Sequence, residues 1–174
     1  MSPWKQAVRE GVFVGTVASL ASTAALALAG RRDNGHAAAP VNAISHWLWD
    51  RPALRANRLD LRHTLTGYLV HHGASVFWAT LHARAWGSKA QARKPGPAIA
   101  GASVTAAVAC FVDMRLTPRR LTPGFEHRLS LASMTAVYAC FALGLALGSM
   151  AARRQESSKT GKWHPPPGRE GVQE

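Results

Sequence analysis

The sequence predicts an all-α integral membrane protein with four transmembrane helices and a short interfacial helix in the first loop. Two runs of about 20 residues, 11–30 and 130–150, contain no charged side chain. A helix rises ~1.5 Å per residue, so each run spans the ~30 Å hydrocarbon core of a bilayer. Segments 64–83 and 96–113 are weaker candidates for the second and third spans, and no long alternating run predicts a strand. Four spans account for every apolar block in the sequence. The alternative is a two-span protein that uses only the two uncharged runs.

The charge distribution agrees with a membrane location. The chain carries a formal net charge of +12, and its basic residues lie almost wholly between and beyond the apolar segments. That pattern is typical of membrane helices whose ends face anionic head groups. No basic recognition helix or zinc-finger spacing occurs, so we expect the lipid bilayer, and not nucleic acid, as the partner. Cys110 and Cys140 lie in apolar segments at different predicted depths, which favours two buried thiols over a disulfide.

The first apolar run is read as an uncleaved span. Lys5 and Arg9 precede it, and its end at residues 27–29 (ALA) mimics a signal-peptidase site. A cleaved signal usually has a shorter apolar core, so a membrane helix is favoured.

The connections and the tail complete the predicted organisation. Residues 31–63 form a polar loop, within which residues 40–50 (PVNAISHWLWD) carry apolar side chains at helical spacing and two tryptophans. This pattern predicts a short helix on the membrane surface, limited by Pro52. The four-helix domain covers residues 1–152, and residues 153–174 are predicted to be a disordered polar tail.

Small residues follow the two strongest spans at every fourth position, which predicts close helix packing. Burial from lipid cannot drive helices together, but close backbone approach over small residues can. We expect these stripes to pack within the chain first, while homo-oligomerisation or a partner in a membrane complex is left open. The members of the stripes taken as packing residues are Gly11, Gly15, Ser19, Gly144 and Gly148.

Orientation is predicted from the density of basic residues. An even number of spans places both termini on one side of the membrane. The loop between the second and third spans holds Arg84, Lys89, Arg93 and Lys94 in a short stretch without an acid. The positive-inside rule therefore favours cytoplasmic termini.

The second span carries a polar face, which holds the candidate site. Its members follow steps of three and four and are Thr64, Tyr68, His71, Ser75, Trp78 and His82, with His72 beside them. A polar face in lipid must turn toward other helices or water. Asp113 ends the third span on the side where the second begins. The predicted site comprises Tyr68, His71, His72, Ser75 and Asp113, with His46, Glu126 and His127 as contributors from the loops.

Three chemistries suit this site. Intramembrane histidines form interhelical hydrogen bonds, relay protons near neutral pH, or bind a transition metal or haem iron. Adjacent His71 and His72 point about 100° apart on a helix, and no HExxH, CxxC or His-x3-His pattern occurs, so no metal or cofactor is specified. His82 is expected at the opposite interface.

Enzyme signatures are missing from the sequence. It contains no G-x-S-x-G elbow, P-loop or dinucleotide fingerprint, and no catalytic residue is predicted. We expect a non-enzymatic membrane component of structural or accessory type. The alternatives are a small transporter or proton relay that uses the intramembrane histidines, and a haem- or metal-binding membrane subunit.

Three strings resemble segments of known proteins. PVNAISHWLW, LTGYLVHH and LTPGFEHRLS are similar to parts of small multi-spanning bacterial inner-membrane proteins that are themselves uncharacterised. The resemblance covers most of residues 10–150. It implies a bacterial inner-membrane location and four spans, and it implies no reaction, substrate or cofactor.

Overall fold

The computed structural model describes residues 2–87 and 94–160, and within these ranges the chain is helical and has no strand. The α-helices, numbered in chain order, are α1 (Pro3–Asn34), α2 (Ala39–Ile44), α3 (His46–Arg55), α4 (Thr66–Trp86), α5 (Pro95–Phe111) and α6 (Leu131–Thr160). Short π-helical turns at Leu61–Leu65 and Val112–Leu116 and a 3-10 turn at Phe125–His127 complete the fold. The all-helical prediction is confirmed for the described residues.

Three helices are long and apolar enough to cross a membrane. They are α1, α5 continued through Leu116, and α6 as far as Arg153. They correspond to the expected first, third and fourth spans, which supports a membrane protein. The expected second span is present as the 21-residue helix α4, which is not among the three. Its three histidines, at 71, 72 and 82, lower its mean hydropathy.

The small residues of α1 lie against the neighbouring helices. A Cβ atom on Gly15 would lie 2.6 Å from the Val76 Cα of α4, and Gly11 abuts Thr80 of the same helix. On α6, a Cβ on Gly144 would lie 2.5 Å from the Ala18 Cα. Gly148 lies against Val14, and Ser19 is buried. The paired positions run in opposite directions, so both α4 and α6 pack antiparallel to α1.

One end of the bundle, here named the capped end, is covered by residues 36–65 and 117–130. The whole of α2 is buried there. Gly67 at the start of α4 abuts the Val41 carbonyl group. The Asn42 amide donates to the carbonyl oxygens of Ala56 (3.1 Å) and Arg58 (2.9 Å), and its own oxygen accepts from Thr64 at 2.6 Å. This amide therefore joins the loop to the helices.

The structure corrects the single surface helix predicted over residues 40–50. The segment breaks at Ser45 into α2 and α3, and Asp50 adopts a non-helical conformation with φ 49°. The first helical part of α3 thus ends at Asp50, two residues before Pro52, as the predicted limit requires, and a second helical part continues through Arg55. Val41 and Ile44, two of the apolar side chains that suggested a surface helix, are instead covered by neighbouring helices, whereas Leu48 is 56% exposed. Periodicity marks an apolar helix face, but it does not tell whether lipid or protein covers that face.

A polar turn precedes α4. Asp60 accepts hydrogen bonds from the backbone N–H of His63 and from its ring, the latter at 2.9 Å. These bonds stabilise the carboxylate and hold the pKa of Asp60 below its usual value. The contact fixes the point at which the chain leaves the cap and enters α4.

The opposite end of the bundle, the open end, brings the start of α1 and the end of α6 together. Arg153 of α6 donates to Glu10 of α1 at 3.1 Å and to the carbonyl oxygen of Gly87 after α4. Both charged side chains are nearly buried. Helix α6 continues past the predicted boundary at residue 152 as far as Thr160, because no glycine or proline interrupts it before Gly161. The remainder of the predicted tail, residues 161–174, lies outside the described residues.

Candidate functional site

A cavity of about 540 Å³ lies between α4 and α5, near the capped end. It exists because α4 packs mainly on α1, whereas α5 packs mainly on α6. At the open end α4 and α5 meet: His82 Nδ1 lies 2.9 Å from Thr105 Oγ1, and Gly101 packs against the Trp86 indole. Farther toward the capped end they separate and leave the cavity between them.

The walls of the cavity come from every long helix and from the cap. Helices α1 and α6 form its back, and residues of the cap, including Trp47 and Phe125, close one end. Leu69 and Phe77 of α4 also line it, and each is 57% exposed. These two side chains border a mouth that opens sideways from the bundle, between α4 and α5.

One polar contact in the cavity joins α4 to α1. His71 Nε2 lies 2.8 Å from Ser22 Oγ. The Ser22 hydroxyl lies equally close to the Ala18 carbonyl oxygen and donates to it, so His71 serves as the donor to Ser22. Ser75, one turn farther along α4, is buried and donates to the His71 carbonyl oxygen at 2.8 Å. The histidine is therefore an interhelical hydrogen-bond partner.

A second polar contact lies across the cavity, between α5 and α6. Asp113, in the π-helical turn that ends α5, accepts a 2.8 Å hydrogen bond from the Tyr138 hydroxyl group. No described lysine, arginine or histidine nitrogen lies within ion-pair distance of Asp113. Asp113 is therefore a half-buried carboxyl group at the end of α5 that has, among the described residues, one neutral hydrogen-bond donor.

The structure brings some of the predicted site residues together and separates others. His71, Ser75 and Asp113 line the cavity, as the shared helix face and the topology suggested. Tyr68 and His72 do not line it: their rings stack on each other, with centroids 5.8 Å apart. The ~100° rotation between consecutive helical residues turns His72 away from the wall that His71 faces.

The residues suggested from the loops lie outside the cavity. His46 is buried in the cap, where its Nδ1 lies 2.9 Å from the Ala43 carbonyl oxygen. His127 is mostly exposed, and its Nε2 lies 3.7 Å from Glu126 Oε1. The described residues contain no group of three or more histidine, cysteine or acidic side chains placed to hold a metal ion. The metal and haem alternatives gain no support from this arrangement.

The sequence reasoning missed several residues that line the cavity. Ser22 lies three positions beyond Ser19, close to the small-residue stripe of α1, and that position could have flagged it. Tyr138 stands out as the one tyrosine in the charge-free fourth span. The cap residues gave no signal, because only the folded loop places them over the cavity. The lining residues that were missed include Ser22, Trp47, Phe77, Phe125, Tyr138 and Phe141.

Comparison with known proteins does not indicate a family for this chain. No protein-family model, no curated protein and no solved structure matches the chain. The evidence for function is therefore the cavity and its residues.

Proposed function

We propose that this chain is a four-span protein of a bacterial inner membrane, and that it holds a small membrane-soluble molecule in the cavity between α4 and α5. The role is accessory and non-enzymatic, in that the molecule is bound and not converted. The observation that carries this proposal is the cavity itself. Ligand sites are typically concave, have volumes of roughly 300–1,000 Å³ and are mostly apolar, with few polar groups. The space lined by His71, Asp113 and the aromatic residues fits that description.

The packing of α4 against α1 supports a membrane-spanning position for α4. It runs antiparallel to α1 from the contact of Gly11 with Thr80 to the contact of Ser22 with His71. Residues 64–83 contain no acidic or basic residue other than histidine. A helix of 21 residues is about 31 Å long, which matches the hydrocarbon thickness. If α1 spans the membrane, α4 lies at the same depth and spans it too.

The outer surface of α4 also suits lipid. Its exposed positions include Leu69, Gly73 and Phe77, which follow one another at four-residue steps and continue the step from Leu65 in the preceding turn. The imidazoles of His71 and His82 point inward to Ser22 and Thr105. Two of the three histidines that lower the hydropathy of this helix, His71 and His82, therefore have partners inside the protein, which reduces the cost of placing them in a membrane.

The proposed orientation places the open end in the cytoplasm. The start of α1, the end of α4 and the end of α6 meet there, and the basic loop after α4 begins there. The capped end then lies at the periplasmic surface, with α3 near the head groups. This arrangement follows the density of positive charge in the connection between α4 and α5.

The proton-relay alternative is less well supported than ligand binding. A relay needs titratable groups linked in series. Among the described residues, His71 bonds to Ser22 and Asp113 bonds to Tyr138, and no hydrogen bond joins the two pairs. The open space between them is better suited to a bound molecule.

Binding of a neutral aromatic probe tests the proposed function. Protein in dodecyl maltoside is dialysed to equilibrium with triphenylphosphine oxide, and uptake by empty micelles is subtracted. We expect saturation near about one molecule per chain. Gly73 lines the cavity and has open space around it, so Gly73→Trp should fill the mouth and weaken binding about tenfold or more.

The matched control is Gly96→Trp. Gly96 also has open space around it but lies at the start of α5, near the open end. This variant should bind the probe as the parent protein does. Uptake equal to that of empty micelles, or equal weakening by both substitutions, would contradict a binding role for the cavity.

A further inference from the structure

We infer that the molecule held between α4 and α5 is a lipophilic cation, meaning a positively charged group on an apolar body. This inference rests on the proposed function, because it names the class of ligand that the cavity takes. It follows from two independent features of the lining, its aromatic rings and its charge.

Aromatic rings form a large part of the lining. The faces of these rings carry negative electrostatic potential, and a cation within ~6 Å of a ring centroid is attracted to it. Rings come from the cap, α4 and α6, so they surround the space from several directions. A neutral apolar molecule would be bound equally well by aliphatic side chains. The aromatic lining residues in the described part of the chain are Trp47, Phe77, Trp78, Phe125, Tyr138 and Phe141.

The charge of the lining has one sign. Asp113 is the one carboxylate among the described lining residues, and no described lysine or arginine lines the cavity. Glu126, in the cap, is a second acidic residue, and it lies close enough to Asp113 for the two carboxyl groups to interact electrostatically. A carboxylate in apolar surroundings is costly unless it is paired, and Tyr138 supplies only a neutral donor. A bound cation would supply the missing partner, whereas an anion would meet repulsion that no described lining residue offsets.

The imidazole on the opposite wall does not reverse this preference. His71 Nε2 already forms a hydrogen bond with Ser22 of α1, so this ring nitrogen is not free to bind a ligand. The apolar body of the ligand would extend past Leu69 and Phe77 through the mouth between α4 and α5. A ligand with its positive charge beside Asp113 and its apolar body toward lipid would match the acidic group at one end of the cavity and the apolar mouth at the other.

A pair of ions matched in size and shape tests the inference. Tetraphenylphosphonium and tetraphenylborate differ mainly in the sign of their charge. Their binding to the full chain in dodecyl maltoside is measured by equilibrium dialysis, with uptake by empty micelles subtracted. We expect the phosphonium to bind about tenfold tighter than the borate. The preference should disappear in Asp113→Asn, which keeps an oxygen acceptor for Tyr138 but removes the charge.

Triphenylphosphine oxide separates the two proposals. If Asp113→Asn still binds this neutral probe but has lost the preference for the cation, the inference is supported. If the parent protein binds all three probes with no preference, or if Asp113→Asn keeps the preference, the cation inference is wrong and the cavity remains a binding site. If none of the three probes binds, both proposals are wrong.

A second variant covers the case in which Asp113→Asn fails to fold and therefore loses the neutral probe. Glu126→Gln removes the other negative charge and leaves the lining of the cavity unchanged. A reduced preference for tetraphenylphosphonium in this variant supports the inference, and an unchanged preference overturns it.

Discussion

Replacing Gly15 by leucine is expected to lower the free energy of unfolding by about 3 kcal/mol, at the upper end of typical overpacking costs. A Cβ atom at this position would lie 2.6 Å from the Val76 Cα and 2.9 Å from the Val76 backbone nitrogen. Backbone atoms cannot rotate away, as the end of a side chain can, so α1 and α4 must separate. The loss is measured by titrating dodecyl maltoside micelles with dodecyl sulfate and following helix content by circular dichroism.

Gly73→Leu is the matched control for this prediction. Gly73 lies on α4, the same helix that Gly15 contacts, but a Cβ there would meet nothing within 4 Å. The control should leave the unfolding free energy unchanged within about 0.5 kcal/mol, or raise it slightly through better helix propensity. Equal losses in both variants would contradict direct backbone packing between α1 and α4.

Replacing Glu10 by alanine is expected to cost about 3 kcal/mol, because it leaves a nearly buried arginine without its counterion. The Arg153 and Glu10 side chains are 9% and 11% exposed, and their atoms lie 3.1 Å apart. The Arg153 guanidinium also donates to the Gly87 carbonyl oxygen. This one group therefore ties the ends of α1, α4 and α6 together. The same detergent titration measures the cost.

Arg32→Ala provides the comparison. Arg32 lies 3.9 Å from Asp33 and its side chain is 75% exposed, so its removal should change stability by less than about 1 kcal/mol. The double variant Glu10→Leu with Arg153→Met should recover part of the loss, since an apolar pair leaves no buried charge. A Glu10→Ala protein as stable as Arg32→Ala would show that the open end is not held by this pair.

The sequence alone predicts the helical class and the order of the long helices well. Uncharged runs and small-residue stripes are local signals, and the stripes of α1 and α6 lie at close helix contacts. The loop of residues 31–63 was harder to predict. The burial of Val41 and Ile44 depends on Gly67 and on the Asn42 hydrogen bonds, which join residues distant in sequence.

The candidate site could also be predicted only in part, because part of it depends on contacts between residues distant in sequence. A helical wheel places His71 and Ser75 on one face, and topology places Asp113 near them, so these three could be chosen from the sequence. The sequence could not reveal the gap between α4 and α5, since it results from each helix packing on a different neighbour. Tyr138 and the cap residues enter the site only through that tertiary arrangement.

The position of α4 decides whether the cavity lies inside the bilayer, and reporter fusions test it most directly. Alkaline phosphatase, which is active outside the cytoplasm, and green fluorescent protein, which fluoresces inside it, are fused in parallel after residues 58, 91 and 121. A four-span bundle predicts that the junctions at 58 and 121 report the periplasm, and that the junction at 91 reports the cytoplasm. The reversed pattern would keep the four spans and invert only the orientation. If the junctions at 58 and 91 report the same side, α4 does not cross the membrane. The cavity then does not lie within the bilayer, and this result would contradict the proposed function, which depends on that position.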